Sequence, residues 1–103
     1  MFGKPDMEKV KRRLMWDFRV EDESANFMER RTGYAFVVDV AFGEPRLSLY
    51  HITRFGSKCD DLDQQPPNEL LLKALVEQGA TLGRDGIYNI NQELRLWIEE
   101  HIL

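Results

Sequence analysis

The sequence predicts an α+β domain in which strands fill the middle of the chain and helices follow. Three features carry this expectation. Two β-branched and aromatic runs, YAFVVDVAF (34–42) and RLSLYHIT (46–53), are separated only by Gly43-Glu44-Pro45. Such runs joined by a short turn containing Gly form an antiparallel hairpin. A Leu-rich segment between Asn68 and Gly79 carries helix signals at both ends, and a stripe of Leu94, Trp97, Ile98 and Ile102 repeats at helical spacing to the C-terminus. Strands followed by helices are the α+β pattern. The expected architecture is an N-terminal helix, an antiparallel sheet built on the 34–53 hairpin, and two C-terminal helices packed on the sheet.

Pro5 suits the first turn of the N-terminal helix, with Asp6 and Glu8 at its positive end. Met7, Val10 and Leu14 then share one face. From Trp16 to Val20 the pattern changes to a period of two, with Trp16, Phe18 and Val20 alternating with Asp17, Arg19 and Glu21. This favours a half-buried strand that hides Trp16 and Phe18 together, since a continued helix would leave Trp16 among Lys9, Arg12 and Arg13. Residues 25–31 fit either a short helix capped by Ser24 or a weak strand.

In the hairpin, Phe36, Val38, Val40 and Phe42 share one face, and Ala35, Val37, Asp39 and Ala41 the other. Both faces are largely apolar, which predicts a central strand covered on both sides. Residues 54–66 show no period and read as a long loop. Asn68 caps a helix over 69–78 that Gly79 ends. Leu70, Leu71, Leu72, Ala74, Leu75 and Val76 make it apolar around most of its girth, which predicts deep burial. Glu69–Lys73 and Lys73–Glu77 have the spacing of ion pairs along a helix. Asp85-Gly86 marks a tight turn before a short return strand at Ile87-Tyr88, and Asn89 or Asn91 begins the last helix.

The chain has 103 residues, 43% of them apolar and 31% charged, with a net charge of −4. This describes one globular domain, 1–103, with no global attraction to nucleic acid or anionic membrane. Cys59 is the only cysteine, so neither an internal disulfide nor a thiolate metal cage can form. No secretory signal and no membrane-length apolar run is visible, and the expected home is the cytoplasm.

No complete catalytic, metal or phosphate signature appears. Cys59 and His51 are the one thiol and the one mid-chain imidazole, but a nucleophile needs them within hydrogen-bond reach, and they fall on different elements. His51, Cys59, Asp60, Asp61 and Asp63 lack the spacing and the Gly of a hard-cation loop, and a solvated acidic loop is the plainer account. Asp39 within an apolar strand fits a general acid or base, or more simply the partner of Arg46 or Arg54. His101, four residues after Trp97, needs no role beyond favouring a helix C-terminus. No cofactor and no metal is implied.

Two binding readings remain. Lys9, Lys11, Arg12 and Arg13, with Arg30 and Arg31, form basic clusters that Trp16 and Tyr34 would supplement with stacking faces for nucleic acid. The acidic total charge disfavours this reading. The chain also holds two Trp, three Tyr and six Phe, more than a small core easily hides, and Trp16, Tyr34, Tyr50 and Trp97 are candidate anchors for a partner. The stripe on the last helix suits a dimer face. The favoured expectation is a non-enzymatic interaction or accessory domain with a protein partner or self-association. Nucleic-acid binding comes second, a small enzyme near Asp39, His51 and Cys59 third, and membrane is not a partner.

Overall fold

A computed structural model of the chain describes residues 6–19 and 31–103. The elements run α1 (Met7–Arg12), β1 (Leu14–Met15), β2 (Asp17–Arg19), β3 (Gly33–Ala41), β4 (Glu44–Thr53), β5 (Gly56–Asp61), α2 (Asn68–Asp85), β6 (Ile87–Asn89) and α3 (Gln92–His101). The main sheet has the order β1-β3-β4-β5, and β2 and β6 form a separate two-stranded antiparallel ribbon. The expected α+β class is therefore what forms, with one refinement. The β3-β4-β5 meander is antiparallel, but β1 runs parallel to β3.

One face of the sheet carries the larger core. Tyr34, Phe36, Val38, Leu47 and Leu49 pack there with Val10 of α1, Leu71 and Ala74 of α2, and Leu94 and Ile98 of α3. The opposite face holds a smaller cluster of Met15, Phe18, Ala35 and Ile52. Leu14 reaches the larger core from a strand rather than from α1, which stops at Arg12. Trp16 and Phe18 are not hidden together, because the chain bends at Trp16. Trp16 stacks on Phe36 at 6.1 Å on the helix side, whereas Phe18 stacks on Tyr88 at 5.5 Å in the smaller cluster.

The hairpin turn is shorter than Gly43-Glu44-Pro45. Ala41 pairs with Glu44, so the turn is Phe42-Gly43 alone, with φ of 54° and 79°. Two consecutive positive φ values match the twist of the flanking strands. Pro45 sits within β4 opposite Val40, on the side of the strand facing away from β3, where a missing N–H costs the hairpin nothing.

Residues 54–66 are not a loop throughout, since β5 pairs with β4 from Gly56 to Asp61. An edge strand exposed on both faces has no burial to impose an apolar period, which explains its unreadable sequence. α2 likewise passes through Gly79 and ends at Gly86, whose φ of 68° makes a left-handed cap. Asn68 is its first residue, and the preceding Pro67 offers no side-chain cap. Only Leu71, Ala74 and Gln78 of α2 are buried, while Leu72 and Val76 are exposed, so one face packs rather than most of the girth. Lys73 bonds Glu93 of α3, tying the two helices rather than two turns of one. Asn91 caps α3 by accepting from the Leu94 N–H at 2.9 Å.

Two glutamines complete the sheet where its neighbouring strands end. Gln78 Oε1 accepts from the Val38 N–H at 3.0 Å and its Nε2 donates to the Val38 carbonyl at 2.9 Å. Gln65 does the same for Leu47, at 2.8 and 2.9 Å. Val38 and Leu47 are register partners, so one side-chain amide stands on each flank of the same residue pair. Backbone groups that no strand reaches are thereby satisfied. Among the described residues, no helix is long and apolar enough to cross a membrane.

Candidate functional site

The residues with reactive side chains do not converge. Cys59 lies opposite Tyr50 in the β4–β5 register and His51 lies opposite Lys58. Successive strand residues face opposite sides, so Cys59 and His51 project from opposite faces of the sheet. Cys59 has an exposed surface, yet its thiol is pushed up from its ordinary pKa. Desolvation of the sulfur is the main cause. A hydrogen bond with Ser48 opposes it, and the charges of Asp39, Asp61 and Asp60 add to it. A raised thiol pKa is the reverse of nucleophile activation.

Asp39 shares the face of Cys59, but Arg46 and Arg54 are not its hydrogen-bond partners. Tyr50 Oη donates to Asp39 Oδ2 at 2.9 Å, and Arg46 instead approaches Asp61 at 3.8 Å. Desolvation, then the bond to Asp39, push the Tyr50 phenol upward and keep it protonated. Among the described residues no group of His, Cys, Asp and Glu has the arrangement of a metal site.

The candidate anchors are largely engaged within the fold. Tyr34 is 5% exposed and stacks on His51 at 4.3 Å, so it offers neither a stacking face nor an interface anchor. Trp16 is half-buried, with Phe36 beside it and the Arg95 guanidinium 4.5 Å over its ring. Tyr50 is half-buried and bonded to Asp39. Trp97 is half-buried, stacks on His101 at 4.6 Å and lines a shallow groove with Leu70 and Leu96. In the α3 stripe Leu94 and Ile98 are fully buried, and Trp97 and Ile102 are half-buried.

What the structure leaves exposed is different. Phe42, at the β3–β4 turn, is fully exposed, and Val40 beside it is 60% exposed. Phe42, Ala41 and Pro45 border a depression with Glu44, Arg46 and Asp61. Phe55, in the turn between β4 and β5, is 94% exposed. By sequence pattern alone, Phe42 continues a strand face and Phe55 falls in a loop. The missed signal in each case was a large aromatic beside glycine, at Phe42-Gly43 and Phe55-Gly56.

Some of the basic residues gather at the Phe55 end. Lys9 and Arg13 approach His51 from the end of α1, and Lys58 faces it across the β4–β5 pairing. His51 is held below its ordinary value of 6.5, by desolvation first and then by Lys9 and Arg13, with Lys58 adding and Asp60 opposing. Arg13 also donates to Thr32 Oγ1 at 2.8 Å, beside the exposed Arg31. Arg12 is exposed on α1, and Arg30 lies outside the described residues. Comparison with protein-family models, with curated proteins and with solved structures finds no match.

Proposed function

We propose that this chain is a non-enzymatic interaction domain that docks a protein partner through its β3–β4 hairpin tip. One observation carries the reading. Phe42 holds a left-handed backbone, φ 54°, while its side chain is fully exposed. A bulky L-residue in that conformation costs about 1–2 kcal/mol, and Asn or Gly at the same turn position relieves it. An exposed ring gives nothing back to the core. Strain combined with exposure has a natural account if the ring is buried against something else, where a Phe gains about 2 kcal/mol.

The surroundings describe the partner's chemistry. Val40 and Pro45 extend the apolar surface, and Glu44 borders it together with Asp61, whose charge Arg46 offsets in part, so the rim is net negative through Glu44. The matching surface is an apolar socket with a basic rim. A symmetric contact between two such tips would bring their acidic rims together, which argues for a different protein as the occupant.

The test is capture of a binding protein by the whole chain, followed by calorimetric titration of the purified pair. Phe42→Asn should weaken that affinity at least about tenfold, or ~1.4 kcal/mol, while the fold remains intact. Phe55→Ser should leave it unchanged. Equal affinity of the Phe42→Asn variant and the parent would overturn the assignment of this surface. Concentration-dependent dimers that Phe42→Asn abolishes would replace the foreign partner with a second copy.

A further inference from the structure

The Phe55 end differs in chemistry from the tip just described. Two shallow depressions meet there. One, of about 330 Å³, is lined by Arg13, Thr32, His51, Ile52, Thr53, Arg54 and Phe55, and the other by His51, Thr53, Phe55, Gly56, Ser57 and Lys58. They share His51, Thr53 and Phe55, so the exposed ring stands between them. The turn that carries the ring is fixed. Thr53 Oγ1 accepts from the Phe55 N–H at 3.2 Å and donates to the Gly56 carbonyl at 3.0 Å. Positive charge reaches this point from three separate elements: Lys9 and Arg13 from α1 and its end, Arg54 from the turn, and Lys58 from β5. Asp60 is the carboxylate that acts on His51 among them.

We propose that this end of the sheet binds single-stranded nucleic acid, with phosphates along Arg13, Arg54, Lys58 and Lys9 and a base stacked on Phe55. A chain of phosphates suits cations spread around a ring, and an exposed aromatic suits an unpaired base, whose π-face a duplex keeps covered. Anionic membrane fits less well, because Phe55 is the only large exposed apolar side chain that these two depressions include. The site uses Arg13 and Lys9 of the N-terminal basic cluster, but its stacking group is Phe55, with Trp16 and Tyr34 occupied inside the fold.

The test uses the whole chain in fluorescence anisotropy titrations with labelled oligothymidylate, oligouridylate and a duplex of matched length. Vesicles of phosphatidylcholine and phosphatidylserine form a separate arm. Single strands should bind at about 50 mM salt and weaken toward about 200 mM, with a log–log slope of about −3 for four phosphate contacts. Phe55→Ser should weaken single-strand binding about tenfold without altering the slope, and Phe55→Trp should retain it. Arg54→Gln and Lys58→Gln should each reduce the slope by about 0.7. Phe42→Asn should change nothing in this assay, which keeps it separate from the protein-partner reading. No single-strand binding at the lowest salt, an unaltered affinity in folded Phe55→Ser, or preference for the vesicles or the duplex would overturn the proposal.

Discussion

Strand β4 runs between two hairpin turns, each displaying one exposed phenylalanine, and the two ends are built in different ways. At the Phe55 end the outward backbone groups of β4 meet β5, and those of β3 meet β1, where Tyr34 N–H donates to the Arg13 carbonyl at 3.0 Å. At the Phe42 end both neighbouring strands have stopped, and Gln65 and Gln78 take their place. The charge also divides. Glu44, Asp61 and Arg46 lie at the Phe42 end, a net negative set, and Arg13, Arg54 and Lys58 at the other, where Asp60 opposes them only in part. A net charge of −4 conceals this division. Total charge constrains what a whole surface attracts, but it says nothing of what one end attracts.

The contrast can be broken most sharply at Gln78. Its amide is 5% exposed and is the partner of two backbone groups. Gln78→Ala should cost about 3 kcal/mol in urea unfolding, because the Val38 N–H and carbonyl are left buried without partners. Gln65 is only half-buried, so water replaces part of what it supplies, and Gln65→Ala should cost about 1.5 kcal/mol. The Phe42 end should then respond in the opposite direction. Phe42→Asn relieves the left-handed strain and should stabilise the fold by about 1 kcal/mol, read as a higher urea midpoint at constant m-value. Phe55 carries no positive φ, and Phe55→Ser should fall within about 0.5 kcal/mol of the parent.

The smallest effect sharpens the electrostatic side. His51 should titrate below 6.5 by NMR, and Lys58→Gln should move its midpoint upward. Lys9 and Arg13 also hold it down, with Asp60 opposing, so the movement should be partial. The sign for stability follows from proton counting. Between the folded midpoint and 6.5 the unfolded chain binds more protons, so this histidine's contribution falls as pH is lowered through that window and is complete above 6.5. His51→Gln should remove that part of the pH dependence.

The parts of the fold written in local pattern were legible. The 34–53 hairpin and the last helix follow from alternation and helical spacing, and of the two caps that the sequence offers, Asn89 and Asn91, the structure uses Asn91. What failed were boundaries decided by tertiary contacts. Gly79 and Gly83 each weaken a helix by about 1 kcal/mol, yet α2 continues because the Gln78 clamp and the Gly86 cap hold its last turns. β5 could not be read because none of its residues is buried, so no apolar period is imposed on it. The exposed ends were hidden for a related reason. Arg13 and Lys58 are 45 positions apart in the chain, and only the parallel docking of β1 on β3 brings the end of α1 to the β4–β5 turn. Phe42 read as core because it continued a run of alternating apolar residues.

The Gln78 clamp makes one proton an indicator of helix docking. The Val38 amide has no strand on its outer side, and a single side chain from α2 shields it. It can trade with solvent deuterium only after the helix has lifted from the sheet, whereas amides inside the β3–β4 ladder wait for the strands themselves to part. Detachment of α2 and fraying of the sheet thus leave separate isotopic signatures within one nine-residue strand.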